Sequence, residues 1–318
     1  MFDVVLVNWN GGSMVIDCLL SVHRHAGVDL GQVVVVDNAS SDNSADQIDV
    51  LGTVTLIRSE QNVGFGKACN LGSRECGSEW LLFLNPDTKL YPESVPLALA
   101  FMTRLENKMV AVCGVQLVDE SGTIARSCAR FPTPKAMILS ALGIDRLIPA
   151  CGFAMRDWDH SDTRVVDHVI GAFYLVRRSV FVSVGGFDER FFVYLEDLDL
   201  SHKISAAGWK TMYFVGASAF HAGGGASRSV RAARLFYSIR SRILYSKKYF
   251  DVWSLVVISC ISAFVEPIIR LAVAAGKADR AAVTETVGAY KMLWLWIGRS
   301  IWLRVKASGR RCFSTYDI

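Results

Sequence analysis

Two acidic segments, far apart in the chain, carry the side chains that could do chemistry. The Asn-Pro-Asp segment at 85–87 follows the apolar run at 80–84, and the Glu-Asp-Leu-Asp segment at 196–199 also follows hydrophobic sequence. A carboxylate at the end of a buried strand can hold a divalent cation against phosphate, and a second carboxylate nearby can take the proton of an attacking hydroxyl. Together they predict group transfer from a phosphorylated donor.

Asp87 and His221 are the candidate metal ligands. His221 follows an apolar strand pattern and precedes three glycines at 223–225, so the backbone there could approach a ligand closely. A hard cation bridging diphosphate oxygens would take a carboxylate, an imidazole and water. Two alternatives stay open, because Asn-Pro-Asp is also a good turn sequence and a single histidine also suits a hydrogen-bonded core position.

The second acidic segment is predicted to begin a helix. On a helix Asp197 and Asp199 point about 200° apart, so these two carboxylates cannot share one role. We expect one acidic side chain to face the site and the others to cap the helix N-terminus, where carboxylates are favourable. Helix capping alone is the alternative.

Further polar clusters follow the first two predicted strands. Asn8, Trp9 and Asn10 come after the first strand pattern, and Asp37 and Asn38 come after the second. The Asp37 carboxylate could accept a hydrogen bond from the imide N–H of a uracil or thymine ring. The same segment could instead form only an Asx turn before the next helix.

A glycine-containing segment at 62–70 lies near a predicted helix start. Backbone N–H groups of Gly64 and Gly66 could meet phosphate there. The segment is not a dinucleotide-binding fingerprint, because Cys69 takes the third glycine position and the segment follows the third strand. No Walker A sequence occurs in the chain. Nicotinamide oxidoreductases and P-loop NTPases are therefore disfavoured.

The elements that must position these residues alternate between strand and helix. The patterns predict strands at 4–7, 33–36, 53–58, 80–84 and 109–117, and helices at 13–25, 64–76 and 93–106. This alternation predicts an α/β fold with a mainly parallel sheet, right-handed crossovers and ligands beyond the carboxyl ends of the strands.

The pattern weakens at 120–165, which is either a mobile, acceptor-facing region or an ordinary surface excursion. It sharpens again at 169–176, where apolar residues recur. A helix at 195–207 is expected to close at Gly208, since glycine suits the position after a helix end.

The composition divides the 318 residues into an acidic part at 1–227 and a basic, apolar tail at 228–318. The tail contains 16 Lys/Arg and 5 Asp/Glu, and the mean hydropathy of the chain is +0.31. Such asymmetry indicates an anionic partner, either nucleic acid or an anionic membrane leaflet.

Two apolar stretches of the tail are predicted to associate with a membrane. The clean core of the stretch at 252–275 has 14 residues, fewer than the roughly 20 that a spanning helix needs. A second patch at 292–303 carries three tryptophans. We interpret both as interfacial or re-entrant helices, with packing on the globular core or on a second subunit as the alternative.

The cysteines and the N-terminus indicate a reducing compartment. The eight cysteines form no Cys-x-x-Cys pair and lie mostly among apolar neighbours, so we expect core residues. The first residues run directly into a strand pattern without a basic region, which predicts no signal peptide and a cytoplasmic location.

Taken in order, the motifs resemble the inverting family-two glycosyltransferases of GT-A fold, in particular their rhamnosyltransferase-like branch. The matching segments lie at 7–11, 36–42, 62–70, 84–87, 171–173, 185–189 and 194–200. The resemblance implies a Rossmann-like, mainly parallel sheet with flanking helices at 1–227. The helical membrane-associating region at 228–318 is predicted from its composition alone.

The resemblance also implies roles for single residues. Asp197 is similar to the general base, Asp37 to the aspartate that recognises the nucleobase, and Asp87 to the last residue of an Asp-x-Asp metal motif. Asn85 replaces the first aspartate of that motif, and His221 matches a late metal ligand. Mg²⁺ or Mn²⁺ is the implied cofactor. The implied donor-binding residues are Val7, Trp9, Asn10, Asp37, Asn38, Asn62, Gly64, Asn70, Asn85, Asp87 and Arg228.

The expected activity is transfer of a deoxysugar, L-rhamnose from dTDP-rhamnose, to a lipid-linked or cell-surface glycan in envelope polysaccharide synthesis. The alternatives are a UDP-hexose-dependent enzyme of the same fold and a catalytically silent nucleotide-sugar-binding or membrane-scaffold protein. The expected partners are a polyprenyl-linked acceptor and the anionic cytoplasmic face of the plasma membrane, with self-association left open. A nucleic-acid partner is disfavoured, because strand-end carboxylates would repel phosphate unless a metal intervened.

Overall fold

The computed structural model describes residues 1–52, 54–223 and 230–312, with side chains as far as residue 300. The chain divides into two compact units, of which the first ends at residue 229 and the second begins at Val230.

The strands of the first unit are β1 Phe2–Asn8, β2 Leu30–Asp37, β3 Thr55–Arg58, β4 Trp80–Leu84, β5 Thr88–Leu90, β6 Val110–Val118, β7 Cys128–Ala129, β8 Arg164–Val166, β9 His168–Val169, β10 Phe173–Arg177 and β11 Lys210–His221. Nine of them form one sheet in the order β3-β2-β1-β4-β10-β6-β11-β5, with β8 paired to β11. A separate two-stranded sheet joins β7 to β9.

The helices of this unit pack on both faces of the sheet, and β1 and β4 are therefore buried along their whole length. They are α1 Gly12–His25, α2 Ser44–Leu51, α3 Phe65–Ser73, α4 Ser94–Met102, α5 Pro134–Ala141, α6 Arg178–Ser183 and α7 Glu196–Ala206. The predicted α/β fold is confirmed. Gly208 follows α7 with φ +87°, the conformation expected of a glycine after a helix end.

The parallel sheet is confirmed for only part of its width. The strands β3, β2, β1 and β4 are parallel neighbours, but β10 lies antiparallel between β4 and β6, and β11 is antiparallel to β5 and β8. A short apolar run does not encode strand direction, so the sequence pattern could not reveal these reversals.

The strand β11 contains an irregularity that shifts its register against β6. Phe214 pairs with Val115, whereas Ser218 pairs with the next residue of β6, Gln116. Residues 215–217 of β11 are therefore extra and form a bulge. After the bulge, the end of β11 pairs with β5, with His221 opposite Thr88.

The second unit is helical. It contains α8 Arg231–Tyr249, α9 Val252–Cys260, a turn of π-helix at Ile261–Val265, α10 Glu266–Gly276 and α11 Arg280–Cys312. Its core is a cluster of buried side chains on α8, the π-turn and α11: Phe236, Ile239, Ala263, Ala289, Tyr290 and Leu293. The segment Val252–Gly276 is long and apolar enough to cross a membrane by length and composition, with a hydropathy of 2.1.

Basic residues of α8 are partly neutralised within this unit. Arg242 is buried and its guanidinium contacts Glu266 at 2.6 Å, while Arg270 contacts the other oxygen of Glu266 at 2.7 Å. Arg231 pairs with Glu285 at 3.1 Å. Helix α8 has no acidic residue of its own, and its acidic partners from later helices reduce the charge that it can present to an anionic surface.

Candidate active site

The carboxyl ends of β1 and β2 are joined by a buried polar network. The amide of Asn8 donates to Oδ1 of Asp37 at 2.8 Å and to the hydroxyls of Ser40 and Ser44. The other oxygen of Asp37 accepts from the backbone N–H of Ser40. Because Asp37 is only 4% exposed, these bonds fix its carboxylate at the sheet edge.

Asn10 organises the loop after β2 from the loop after β1. Its backbone is left-handed, with φ +52°, and its side-chain oxygen accepts from the N–H groups of Ser41 and Asp42. Trp9 beside it is partly exposed, whereas Val7 is buried in the sheet core. A direct ligand contact is therefore easier to form from Trp9 and Asn10 than from the Val7 side chain.

Asn38, Asn62 and Gly64 form a second hydrogen-bonded group at this edge. The amide of Asn38 donates to Asn62 at 2.9 Å and its oxygen accepts from Val63 N–H. Gly64 has φ +88° and caps the N-terminus of α3. A Cβ at Gly64 would collide with the backbone carbonyl of Phe192, so the close approach of these two loops requires glycine.

Asn70 supports a loop on the same side of the sheet. Its amide donates to the carbonyl of Phe187 and its oxygen accepts from the N–H of Phe187, both at 2.9 Å. Through these two bonds the side chain of Asn70 pairs with the backbone of Phe187 as a neighbouring strand would, and it holds the Gly-Gly-Phe turn against α3. The predicted donor contact by Asn70 stays a prediction, and Arg228 lies outside the described residues.

Asp87 and His221 are brought together by strand pairing. Three residue pairs join β5 to β11 and place His221 next to the end of the Asn-Pro-Asp segment. Nε2 of His221 lies 3.3 Å from Oδ1 of Asp87, and both side chains are largely buried. The backbone N–H of Ala222 also donates to the Asp87 carbonyl.

The donor types of this pair fit a divalent cation. Carboxylate oxygen and imidazole nitrogen both suit Mn²⁺, and two protein ligands leave positions for phosphate oxygens and water. Among the residues that the structure describes, no group of three or more His, Cys, Asp or Glu side chains could hold a metal by itself. Asn85, which replaces the first aspartate, is held through its backbone by the carbonyl of Ala172.

Asp197 contacts Gly171, the residue before the Ala172 carbonyl that holds Asn85. Oδ2 of Asp197 accepts from the Gly171 N–H at 2.9 Å, and Oδ1 accepts from the Leu198 N–H at 2.8 Å. The next carbonyl, that of Ala172, accepts from Asn85 N–H and from the Thr88 hydroxyl. Gly171 and Ala172 therefore connect the surroundings of Asp197 with those of Asp87.

The helix that carries Asp197 begins abruptly. Tyr194 and Leu195 both have left-handed backbones, with φ +68° and +64°, which is costly for side chains of this size. Leu195 is the N-cap residue and its side chain makes no capping bond. The three acidic side chains expected at the N-terminus of this helix all lie within its first turn, where the positive end of the helix favours carboxylates, although none of them occupies the N-cap position itself.

Glu196 has the opposite environment from Asp197. Its side chain is buried, and within the described residues its Oε2 has no hydrogen-bond partner. Burial raises the pKa of Glu196 well above its ordinary value, and the neighbouring Asp197 carboxylate raises it further. Glu196 is thus favoured as a neutral acid.

A buried polar group that no sequence motif indicates lies behind Asp197. His168 of β9, Tyr174 of β10 and Ser201 of α7 are all buried, and the Ser201 hydroxyl is hydrogen bonded to both of the others. No spacing connects them in the sequence. The only signal was a polar residue, His168, in an otherwise apolar strand pattern.

Comparison with known proteins supplies the family relationship. Residues 3–182 match the family model described as glycosyl transferase family 2. The chain is 27% identical over 215 residues to the N-acetylglucosaminyl-diphospho-decaprenol L-rhamnosyltransferase of Mycobacterium tuberculosis (strain ATCC 25618 / H37Rv), which covers 59% of this chain and 66% of that protein. It is 33% identical over 176 residues to rhamnosyltransferase WbbL of Escherichia coli (strain K12). The aligned region covers 54% of this chain and 63% of that protein. The chain spans just under two thirds of the length of these relatives.

Solved structures show the same fold at low sequence identity. Mannosyltransferase PcManGT from Pyrobaculum calidifontis, in complex with GDP-Man and Mn²⁺, has a TM-score of 0.54 and 15% identity over 99% of this chain and 87% of that one. GalNAc-T7 with UDP, GalNAc and Mn²⁺ has a TM-score of 0.56 and 17% identity over 80% and 48%. The GT-A fold expected from the motifs is confirmed.

Proposed function

The chain belongs to glycosyl transferase family 2, and we propose that it transfers L-rhamnose from dTDP-rhamnose to a hydroxyl group of a lipid-linked or cell-surface glycan. The match to the family model covers more than half of the chain. The names of two relatives supply the sugar, and the name of one of them supplies a polyprenyl-diphosphate-linked acceptor.

The observation that carries this proposal is the placement of Asp197. Its side chain remains 19% exposed although both of its oxygens are held by backbone N–H groups. A fixed but accessible carboxylate is suited to general-base catalysis, because orientation and access to substrate are both required.

In the proposed reaction Asp197 accepts the proton of the acceptor hydroxyl as that oxygen attacks the anomeric carbon. The new bond joins the acceptor oxygen to the sugar, and the bond between the sugar and the diphosphate breaks. Attack from the face opposite the leaving group inverts the configuration, and no covalent bond to the enzyme is needed. The proton remains on Asp197 until it passes to solvent.

Asp87 and His221 would hold Mg²⁺ or Mn²⁺, which supplies neutralisation of the charge on the departing nucleoside diphosphate when bound. The 3.3 Å separation of the two side chains supports this role. Asp37 and Asn38 would bind the nucleobase and ribose side of the donor. Asp37 is fixed by Asn8 and Ser40, and each carboxylate oxygen can accept a second hydrogen bond, for which a thymine imide N–H is suited.

The second unit would associate with the cytoplasmic face of the plasma membrane, where a lipid-linked acceptor is found. Its segment Val252–Gly276 has only 22% of its most apolar window buried. Trp253 and Ile268 of this segment are exposed. Exposed apolar side chains of this extent favour contact with lipid.

The test is a donor screen by calorimetry with dTDP-rhamnose, UDP-glucose, UDP-galactose and GDP-mannose, each with and without Mn²⁺. We expect dTDP-rhamnose to bind and Mn²⁺ to strengthen its binding. The variant Asp87→Asn is expected to retain weak donor binding and to lose the increment due to Mn²⁺. Transfer is then measured with an N-acetylglucosaminyl-diphospho-polyprenol acceptor.

Preference for a UDP-hexose would overturn the proposed sugar and support the UDP-hexose-dependent alternative. Failure of all four donors to bind, with and without metal, would overturn the proposal as a whole. Binding of dTDP-rhamnose without transfer to any hydroxyl acceptor would support the silent binding protein instead.

A further inference from the structure

A buried histidine lies directly behind the proposed base. Nε2 of His168 is 3.6 Å from Oδ2 of Asp197, the same oxygen that accepts the Gly171 N–H. His168 belongs to the short strand β9, where it pairs with Ala129 of β7. Its side chain is buried, whereas that of Asp197 is partly exposed, so the imidazole approaches the carboxylate from the protein side.

The other nitrogen of this imidazole continues into the core. Nδ1 of His168 lies 3.0 Å from the hydroxyl of Ser201, and that hydroxyl lies 3.0 Å from the hydroxyl of Tyr174. Ser201 and Tyr174 are fully buried. The three side chains thus form a polar chain that ends at Asp197.

The carboxylate determines the direction of the hydrogen bonds along this chain. An ionised Asp197 has no proton to donate, so the nitrogen that faces it must carry one. Burial lowers the pKa of His168 in spite of the nearby carboxylate, which favours the neutral imidazole. With its single proton on Nε2, Nδ1 must accept from Ser201, and Ser201 in turn accepts from Tyr174.

We propose that His168 is a positioning residue that holds Oδ2 of Asp197, so that Oδ1 is the atom that takes the acceptor proton. This inference rests on the proposed function of Asp197 as the base. A carboxylate oxygen offers two lone-pair sites. Oδ2 accepts from the Gly171 N–H and has Nε2 of His168 as its second polar neighbour, while Oδ1 accepts only the Leu198 N–H among the described contacts and keeps one site for substrate.

The distance of 3.6 Å is longer than a hydrogen bond. Catalytic hydrogen bonds are often long in the absence of substrate and shorten in the reacting complex. His168 therefore stabilises the orientation of the carboxylate most strongly when the acceptor hydroxyl is in place. A defect in this contact should lower kcat and leave donor binding unchanged.

The first test reads the tautomer without any need for activity. The chain has six histidines, so the imidazole signals of ¹⁵N-histidine-labelled protein are few, and the signal lost in His168→Gln identifies His168. We expect a neutral Nε2–H imidazole. A neutral Nδ1–H tautomer or a charged imidazole would overturn the inference, even if glycosyl transfer proved to be absent.

The second test uses variants of the full chain in the transfer assay. His168→Phe fills the space without a donor and should lower kcat about 10- to 100-fold, the effect of one hydrogen bond to a charged group, with the donor KM changed less than about twofold. His168→Gln keeps an N–H at a similar position and should restore most of kcat.

His160 provides the matched control. It is the other fully buried histidine of the described chain, stacks on Trp158 and accepts from the N–H of Cys128, with no contact to Asp197. His160→Gln should change the melting temperature but not kcat. Equal kcat for wild type and a folded His168→Phe would overturn the inference, whereas an inactive wild type would instead overturn the proposed function.

Discussion

Buried carboxyl groups at the two ends of the β1–β4 half of the sheet have opposite environments. At the amino end, Asp3 accepts four hydrogen bonds, from Gln32 N–H, Gly77 N–H and both the N–H and the hydroxyl of Ser78. At the carboxyl end, Glu196 is buried beside Asp197 with one oxygen unpaired among the described residues.

The pKa shifts of these groups express the difference. Burial acts to raise the pKa of Asp3, but the hydrogen bonds from Ser78, Gln32 and Gly77 hold it below its ordinary value. The pKa of Glu196 is raised by burial and by Asp197. At the amino end, the Asp3 carboxylate thus joins β1 to β2 and to the turn before β4. At the carboxyl end, an unfavourably buried carboxyl group persists where substrate is expected to bind.

The largest effect is expected at the carboxyl end. Asp197→Asn keeps the shape of the side chain and removes the proton acceptor, so kcat should fall about 10³-fold, or about 4 kcal/mol. Calorimetry should find donor affinity within about threefold of wild type. Activity close to wild type in the purified variant would show that Asp197 is not the base. The contrast between the two ends of the sheet would then have no catalytic significance.

The next effect concerns the amino end. Asp3→Ala leaves the N–H groups of Gln32, Gly77 and Ser78 without their acceptor, so the free energy of unfolding should fall by about 2 kcal/mol. Chemical denaturation measures this change, and kcat at a temperature well below the transition should stay within about twofold. Asp3→Asn retains one acceptor oxygen and should lose less; a variant as stable as wild type would contradict the fastening role.

The pH dependence of Asp3 follows from the direction of its shift. Because the pKa is lower in the folded protein, this carboxylate stabilises the fold fully above its ordinary value of 3.8. The stabilisation is lost as the pH falls through the folded value. The stability difference between wild type and Asp3→Ala should therefore shrink in strong acid.

The smallest effect should have the opposite sign. Glu196→Gln replaces a carboxyl that the fold favours as a neutral acid, so at pH 7 the variant should be more stable by about 1 kcal/mol. Since the pKa of Glu196 is raised, its favourable contribution is present below 4.5 and lost as the pH rises toward the folded value. The gain should thus vanish below pH 4.5, and destabilisation at pH 7 would show that an ionised Glu196 is needed.

Much of the site could be predicted because strand ends are encoded locally. Asp37 lies at the end of β2 and Asp87 follows the buried strand β4, and a parallel sheet collects such ends at one edge. Asp197 also follows an apolar run, but that run forms no strand, and Asp197 lies in the first turn of α7. His168, Ser201 and Tyr174 could not be predicted together, since their contacts depend on the tertiary packing of β9, β10 and α7.

The apolar segment of the second unit shows a similar limit. From the sequence, the clean apolar core is expected to end before Glu266, Pro267 and Arg270, because isolated charges and proline interrupt an apolar helix. In the structure Glu266 is neutralised by Arg242, 24 positions earlier, and Pro267 lies in the first turn after the π-helix. Proline is tolerated there, so Val252–Gly276 continues past the predicted end.

The three extra residues of β11 separate the length of this strand from the placement of its end. A bulge accommodates unpaired residues in one strand, and pairing with the partner strand resumes after it. His221 comes after residues 215–217, and its contact with Asp87 is set by the pairs that follow the bulge, from Ser218 onward. A deletion within 215–217 is therefore taken up by the bulge, whereas a deletion between 218 and 221 shifts the register by one residue and turns the imidazole to the other face. Changes in the length of β11 should accordingly be tolerated before Ser218 and not after it.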